Sequence, residues 1–458
     1  MSENLIISIS GMRGIVGENL TAEIASDYGR AFGTYLRAKH SQPERSQSVC
    51  IGRDSRPSGP MLMSAVAAGL CSVGIDVIDL GIVTTPCVGV MTGELNCCGG
   101  VVITASHNPG QYNGIKLLLG NSVAPPPDAA EEIRRHFYER DFSDVSSVGG
   151  GRISSCDRTD RVHIAKVLAI LNRDEIAAGR FKVVLDSVNG AGGRVTCKLL
   201  AELGCEVSAI NCEPTGVFAH TPEPTAANLR GLCEVVKAES AQIGFGQDPD
   251  CDRLAIVDEN GRYIGEEYTL ALAAKYMFSR KSGKAATNLS TSRMLDDIAY
   301  QGGGEVIRTA VGEANVASAM LEHNCIIGGE GNGGVIDLRV GPIRNSLVGI
   351  GLVLQLMAES GKSVSELVSD IGGYYIQKEK FAADAEQAKR VLESAQKHFV
   401  GAEINTIDGC RFDFEDGWLH LRVSNTEPVM RVIAEARDPG TVRKYIDTVL
   451  EIRREISG

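Results

Sequence analysis

Apolar residues along this chain fall into short, often β-branched runs that alternate with longer stretches of helical spacing. Val49-Cys50-Ile51-Gly52 predicts a strand, Arg53-Asp54-Ser55-Arg56-Pro57 a turn, and residues 59–73 a helix rich in Ala, Leu and Met. Gly74 ends that helix, and the next strand runs from Ile75 to Leu80. The same succession returns at 182–210, with strand Val183-Val184-Leu185, turn Asp186-Ser187-Val188-Asn189-Gly190, a helix to Leu203, Gly204, and a strand through Val207. It returns again at 285–309, with a strand to Leu289, a helix over 291–300, the glycines 302–304 and Val306-Ile307. Strand–helix–glycine–strand units predict parallel strands joined by right-handed crossovers. Three copies predict three related α/β domains with mixed, mostly parallel sheets.

The tail follows a different pattern. Lys378 to Phe381 suits a strand and 383–399 a helix, short strands follow at 410–414, 418–423 and 429–435, and a helix over 440–454 closes the chain. That order predicts a C-terminal α+β domain with an antiparallel sheet. The Ser/Gly-rich stretch 143–156 has the composition of a linker, and further breaks are expected near Gly265 and Gly372-Gly373. The expected domains are therefore 1–150, 151–265, 266–372 and 373–458, with the active site in a cleft between them.

Composition narrows the class of partner. The chain has 458 residues, a formal net charge of −12 and 52 glycines. An acidic protein of this kind has no broad attraction for nucleic acid or an anionic membrane, although a phosphorylated ligand fits if cations gather locally. The 13 cysteines are scattered, with no CxxC pair, and are expected to be reduced thiols in a reducing compartment. Met1-Ser2-Glu3-Asn4 shows no basic segment leading into a signal-type apolar core, and no apolar run is long enough to span a bilayer. A cytoplasmic location is expected, as monomer or homodimer.

Candidate chemistry sits in the turns. Val101-Val102-Ile103 predicts a buried strand that opens into Thr104-Ala105-Ser106-His107-Asn108-Pro109-Gly110. In open α/β sheets ligands gather beyond the carboxyl ends of strands, which makes Ser106 the candidate nucleophile. Near the N-terminus, a strand leads into Gly11-Met12-Arg13-Gly14, a cation flanked by glycines. Asp248, Asp250 and Asp252 alternate in one turn between strand-like segments. Three converging carboxylates need a cation, and hard oxygen ligands without EF-hand spacing favour Mg²⁺ shared with a substrate phosphate. Gly328 to Gly334 carries Glu330 and Asn332 on a bare glycine loop, a carboxylate and an amide suited to sugar hydroxyls. Arg422-Val423-Ser424-Asn425-Thr426, with Arg431 beyond, combines guanidinium, hydroxyl and amide groups as a phosphate cradle.

Together these stretches resemble the α-D-phosphohexomutase superfamily over essentially the whole chain. The resemblance maps the family's phosphoserine onto Ser106, its metal loop onto Asp248, Asp250, Asp252 and Arg253, its sugar loop onto Gly329–Gly334 and its phosphate loop onto Arg422–Thr426. Gly52–Ser58 and Asp186–Gly192 also look like family segments. Many members end the sugar loop in a histidine, whereas here the position is Gly334. The Glu330-Gly331-Asn332-Gly333-Gly334 form, with Val311-Gly312-Glu313-Ala314-Asn315 upstream, resembles the archaeal-type phosphoglucosamine mutase branch.

What the resemblance implies is transfer of a phosphoryl group between the 6-OH and the 1-position of a hexosamine through phospho-Ser106 and a sugar 1,6-bisphosphate. Mg²⁺ would be held by Ser106 and the three aspartates. Arg13 and Lys116 are the matched positions for charge stabilisation and proton transfer, with His107 a further acid/base or loop-orienting candidate. Arg253, Glu330, Asn332, Arg422, Ser424, Asn425, Thr426 and Arg431 are the expected substrate contacts, and Arg308 and Arg344 are additional ones. The competing readings are a mutase for neutral hexose phosphates, with the same chemistry, and a silent phosphosugar-binding protein, which would not need the phosphorylatable hydroxyl. A nicotinamide enzyme is disfavoured because no GxGxxG follows a strand and opens a helix.

Overall fold

The computed structural model describes residues 5–8, 11–39, 46–146, 149–423 and 429–457, and places the first repeat in a seven-stranded sheet. Its strands are β1 (Ile6–Ser8), β2 (Gly11–Ile15), β3 (Ser46–Arg53), β4 (Asp76–Ile82), β5 (Cys97–Ile103), β6 (Tyr112–Leu119) and β7 (Ile153–Ser155), ordered β1-β2-β6-β5-β3-β4-β7. The second sheet holds β8 (Lys182–Asp186), β9 (Glu206–Ile210), β10 (Ile243–Gln247) and β11 (Leu254–Asp258), ordered β11-β10-β8-β9. The third holds β12 (Lys284–Asn288), β13 (Glu305–Thr309), β14 (Ile327–Glu330) and β15 (Gly334–Ile336), ordered β13-β12-β14-β15.

One plan underlies all three. The first strand of each repeat (β3, β8, β12) pairs in parallel with the second on one side and the third on the other. A fourth strand then returns antiparallel along the third. Crossover helices Gly59–Ser72, Gly192–Glu202 and Met294–Gln301 join the first two strands. Strand order reverses at the first strand, so the carboxyl ends of the first and third strands flank a topological switch point. The three stretches singled out for chemistry, 104–111, 248–253 and 331–333, are the same third-to-fourth-strand turn in three successive repeats.

The C-terminal sheet holds β16 (Tyr375–Ala382), β17 (Glu403–Asn405), β18 (Cys410–Asp413), β19 (Gly417–Val423) and β20 (Val429–Ala436). Its order is β16-β20-β19-β18-β17 and every neighbouring pair is antiparallel. With helices Ala385–His398 and Pro439–Ser457 it encloses a core of its own. The second and third repeats instead share one core, through which helix Ser346–Ser360 runs with residues 346–357 all buried. An all-round apolar helix belongs inside a large core. No single described helix is long and apolar enough to cross a membrane.

Two local expectations are corrected. The stretch read as a linker contains β7, which pairs with β4 and extends the first sheet to Ser155. Arg13 lies within β2, paired with β1 and β6, rather than in a turn after one strand.

Candidate active site

Ser106 follows the buried end of β5 with its backbone in the left-handed region, φ +49°. A non-glycine residue holds that conformation only where its surroundings over-determine it. Here the surroundings are a buried arginine. The Arg56 guanidinium donates to the carbonyls of Ser106 (2.7 Å), Asn108 (2.7 Å), Pro109 (2.8 Å) and Tyr112 (3.0 Å). Its Nε pairs with Asp54 at 2.9 Å, both side chains being fully buried. Asp54 also accepts from the Thr104 hydroxyl at 2.6 Å, and Thr104 Oγ1 accepts from the Ser106 amide at 2.9 Å. The result is a serine whose Oγ reaches out of the first repeat to Asp248 Oδ2 of the second, 2.9 Å away.

Asp248, Asp250 and Asp252 are fully buried, and each offers an oxygen within 4.8 Å of the others. One oxygen of each of two aspartates is capped. Asp250 Oδ2 accepts from Thr85 Oγ1 (2.6 Å) and Lys116 Nζ (2.7 Å), while Asp252 Oδ2 accepts from Lys116 Nζ (3.1 Å) and Arg344 (2.6 Å). Asp250 Oδ1 and Asp252 Oδ1 are buried without any hydrogen-bond donor. Such oxygens are costly to leave unpaired, and a hard cation is the partner that a set of three carboxylates and a hydroxyl fits. Burial, and then the charges of Asp250 and Asp252, push the Asp248 carboxyl well above its ordinary range. Burial opposes ionisation of Asp252 too, but Arg344, Lys116 and Arg253 outweigh it and hold that carboxyl low. The triad is thus a buried carboxylate cluster that could hold a cation, with two oxygens that lack a protein donor.

Lys116 belongs to β6 and is held as an ammonium, since Asp250 and Asp252 overcome the opposing effect of burial. Arg13 reaches the same loop, donating to Asn108 Oδ1 at 2.7 Å. His107 Nδ1 lies 3.2 Å from Ser106 Oγ, and burial, with Arg253 and Arg13 nearby, keeps the imidazole neutral. Arg253 donates its amide to Asp248 Oδ1 (3.2 Å) and points its guanidinium toward Glu223 (3.7 Å).

The glycine loop approaches from the third repeat, fastened by the Leu254 amide donating to Gly333 O at 3.0 Å. Glu330 is buried and accepts from Asn288 Nδ2 (2.7 Å), the Gly312 amide (3.2 Å), Arg344 (2.6 Å) and Asn332 Nδ2 (3.4 Å). Arg308 and Arg344, read as additional substrate contacts, both have protein partners. Arg308 donates to the carbonyls of Asn288 and Thr291 and to Asp296, which fixes the loop after β12. Arg344 bridges Asp252 and Glu330.

In the C-terminal sheet Arg422 and Arg431 stand directly opposite one another on β19 and β20. Like charges in facing positions are unfavourable by themselves, and Asp408, 3.7 Å from Arg422 Nε, is an anion beside the pair. Ser424, Asn425 and Thr426 lie outside the described residues. Arg56, Thr85 and Glu313 were not picked out as site residues from sequence. Arg56, two residues from an aspartate in the turn after a first strand, and Glu313, within the Val311–Asn315 stretch, lay in segments already marked, whereas Thr85 had no local cue.

Profiles of the phosphoglucomutase/phosphomannomutase alpha/beta/alpha domains I, II and III and C-terminal domain match residues 5–144, 161–261, 266–374 and 377–452. The chain is 40% identical over 455 residues to a phosphoglucomutase/phosphomannomutase of Thermococcus kodakarensis, covering 97% of each protein. It is 35% identical over 451 residues to a probable phosphoglucosamine mutase of Methanopyrus kandleri, again covering 97% of each. Among solved structures, a phosphoglucomutase/phosphomannomutase family protein of Burkholderia thailandensis superposes with a TM-score of 0.86 at 27% identity, covering 99% of this chain and 98% of that one.

Proposed function

Because the chain belongs to the phosphoglucomutase/phosphomannomutase family and is a phosphohexomutase, we propose that it interconverts glucosamine 6-phosphate and glucosamine 1-phosphate through phospho-Ser106. The observation that carries this reading is the Ser106 hydroxyl 2.9 Å from one of three buried carboxylates, two of which have an oxygen lacking any donor. In the first half-reaction the Ser106 Oγ–P bond breaks as the sugar hydroxyl forms its own bond to phosphorus, giving the 1,6-bisphosphate. The sugar then turns over in the cleft, and its other phosphoryl group returns to Ser106.

Phosphoryl transfer through a loose transition state depends on positioning and on neutralising the three phosphoryl oxygens. Mg²⁺ held by Ser106, Asp248, Asp250 and Asp252 supplies the Lewis acid when bound. The chain's own residues do the rest. Lys116, bonded to Asp250 and Asp252, and Arg13, bonded to Asn108 of the Ser106 loop, offset the charge that grows on the Ser106 oxygen as it becomes the leaving group, and neutral His107 orients that oxygen or shuttles its proton. Arg422 and Arg431, with Ser424, Asn425 and Thr426, hold the non-reacting phosphate, while Asn332, steadied by Glu330, contacts sugar hydroxyls. Arg253 serves the phosphate nearest the metal loop.

The hexosamine preference rests on the glycine-ended sugar loop and on kinship with probable phosphoglucosamine mutases. The Thermococcus relative named for neutral hexoses favours a second reading, a phosphoglucomutase/phosphomannomutase with the same chemistry. Comparing kcat/KM for glucosamine, glucose and mannose 6-phosphates, with Mg²⁺ and a catalytic amount of hexose 1,6-bisphosphate, decides between them. A ratio above about tenfold for the amino sugar supports the first reading, and equal or reversed values overturn it.

A further inference from the structure

Resting on that reading, the geometry around Gly334 assigns a role to Arg344. A side-chain carbon built on Gly334 would lie 2.2 Å from Arg344 Cδ, 2.9 Å from its Cγ and 3.2 Å from its Nε. These are atoms in the middle of the arginine and not its free end. The guanidinium cannot swing aside either, because one nitrogen donates to Asp252 Oδ2 and another to Glu330 Oε2, each at 2.6 Å. Glu313 adds a third anchor, accepting the Arg344 amide at 2.5 Å with its other oxygen 3.6 Å from Nε. Next along the chain, Asn345 caps helix Ser346–Ser360 by accepting from the Leu347 and Val348 amides, which fixes the backbone that launches the side chain.

We infer that Arg344 is the positioning residue that couples the metal loop to the sugar loop, and that it takes the space a side chain at position 334 would need. By capping Asp252 Oδ2 it leaves Asp252 Oδ1 as the buried oxygen free for a cation, and by pairing with Glu330 Oε2 it sets the carboxylate that holds Asn332. The planar fork of an arginine can bridge two carboxylates in different domains, whereas a lysine ammonium offers one point charge. Arginine at 344 and any side chain at 334 are therefore mutually exclusive, so Gly334 is the condition for the bridge and not merely the loss of a functional residue.

The test is a double-mutant cycle on the full chain with Gly334→His, Arg344→Ala and the combined variant, plus Gly334→Ala as the gentlest intrusion. Mg²⁺ affinity by calorimetry is read first, then kcat and KM. Gly334→His and Arg344→Ala are each expected to weaken Mg²⁺ about 10- to 100-fold, the usual range when a partner of a ligand is lost. Adding Arg344→Ala to Gly334→His should cost less than about threefold more, because the bridge is already gone. Arg344→Lys should recover part of the Mg²⁺ affinity but leave the sugar KM raised. Parental Mg²⁺ affinity in both Gly334→His and Gly334→Ala, or a double variant as weak as the product of the two singles, overturns the inference. The Mg²⁺ cycle needs no sugar, so a parent that turns over no hexosamine phosphate overturns the preceding proposal while the coupling is still measured.

Discussion

The guanidinium of Arg56 donates to the carbonyl oxygen of Ser106 across 2.7 Å, from a side chain with no exposed surface. The same group holds three further carbonyls of the loop and Asp54, so one residue fixes both the turn and the left-handed backbone of the candidate nucleophile. Arg56→Met would leave Asp54 buried without its cation and take a donor from four carbonyls of the loop, of which Pro109 keeps the Tyr112 amide. We expect it to lose about 3–5 kcal/mol of stability in urea unfolding. Arg56→Lys keeps a charge beside Asp54 but cannot fan out to the loop. It should stay folded yet lose kcat by about a hundredfold, the scale of a small misplacement of reacting groups. A lysine variant with parental kcat would show that the clamp does not set the geometry of Ser106.

Ser106→Ala removes the proposed phosphate acceptor while keeping the backbone carbonyl to which Arg56 donates. Its unfolding midpoint should stay near that of the parent, and mutase activity should fall to below about a thousandth. Incubation with hexose 1,6-bisphosphate should add one phosphoryl group to the parent by intact-mass measurement and none to the variant. Phosphorylation of the alanine variant at an equal level would move the relay to another residue.

The three buried aspartates repel one another, and a bound cation removes that penalty only in the folded chain. Mg²⁺ at a hundred times its dissociation constant should therefore stabilise the parent by about 2.7 kcal/mol, visible as a rise in Tm. Asp248→Asn keeps an oxygen for the Arg253 amide but removes one charge from the set. It should lose the Mg²⁺-dependent rise while unfolding no earlier than the parent in metal-free buffer. An undiminished rise in that variant would place the cation elsewhere.

Much of this arrangement was legible in the sequence, for identifiable reasons. β3 and β8 contain short apolar runs that end in polar turns, β12 is a weaker Ala-Ala-Thr stretch before Leu289, and the glycines after all three helices mark the next strand, so the repeat declared itself locally. The turns carrying Ser106, Asp250 and Asn332 were equally visible as polar residues after strand-like runs. What stayed hidden was their equivalence, because the antiparallel return of β6, β11 and β15 depends on pairing that periodicity does not report. Arg56 and Arg344 were opaque for a related reason. Arg56 works through carbonyls some fifty residues away, and Arg344 through Asp252, 92 positions distant. Composition could place a cation in those stretches but could not say that protein carbonyls and carboxylates, rather than a ligand, would receive it.

His163 supplies a pH dependence of stability through a side chain that is not one of the three carboxylates. The imidazole is fully buried in helix Thr159–Leu168, with Nε2 2.8 Å from Asn345 Nδ2 and Nδ1 without a partner. Burial lowers its pKa to about 4, with Asn345 and Asp160 opposing only in part. In the unfolded chain a histidine titrates near 6.5. Between those values the unfolded state binds a proton that the folded state refuses. The contribution of His163 to stability is therefore complete above pH 6.5, falls as pH drops toward 4, and is flat below that. From pH 7.5 to pH 5 the parent should lose about 2 kcal/mol through this residue alone. Other groups titrate over the same range, so the measurement is the difference between parent and His163→Leu in urea unfolding at the two pH values. The variant should start less stable at pH 7.5, since Asn345 loses a partner, and should lose less on acidification. Parallel changes in the two proteins would mean that His163 takes up its proton in the folded state as readily as in the unfolded one.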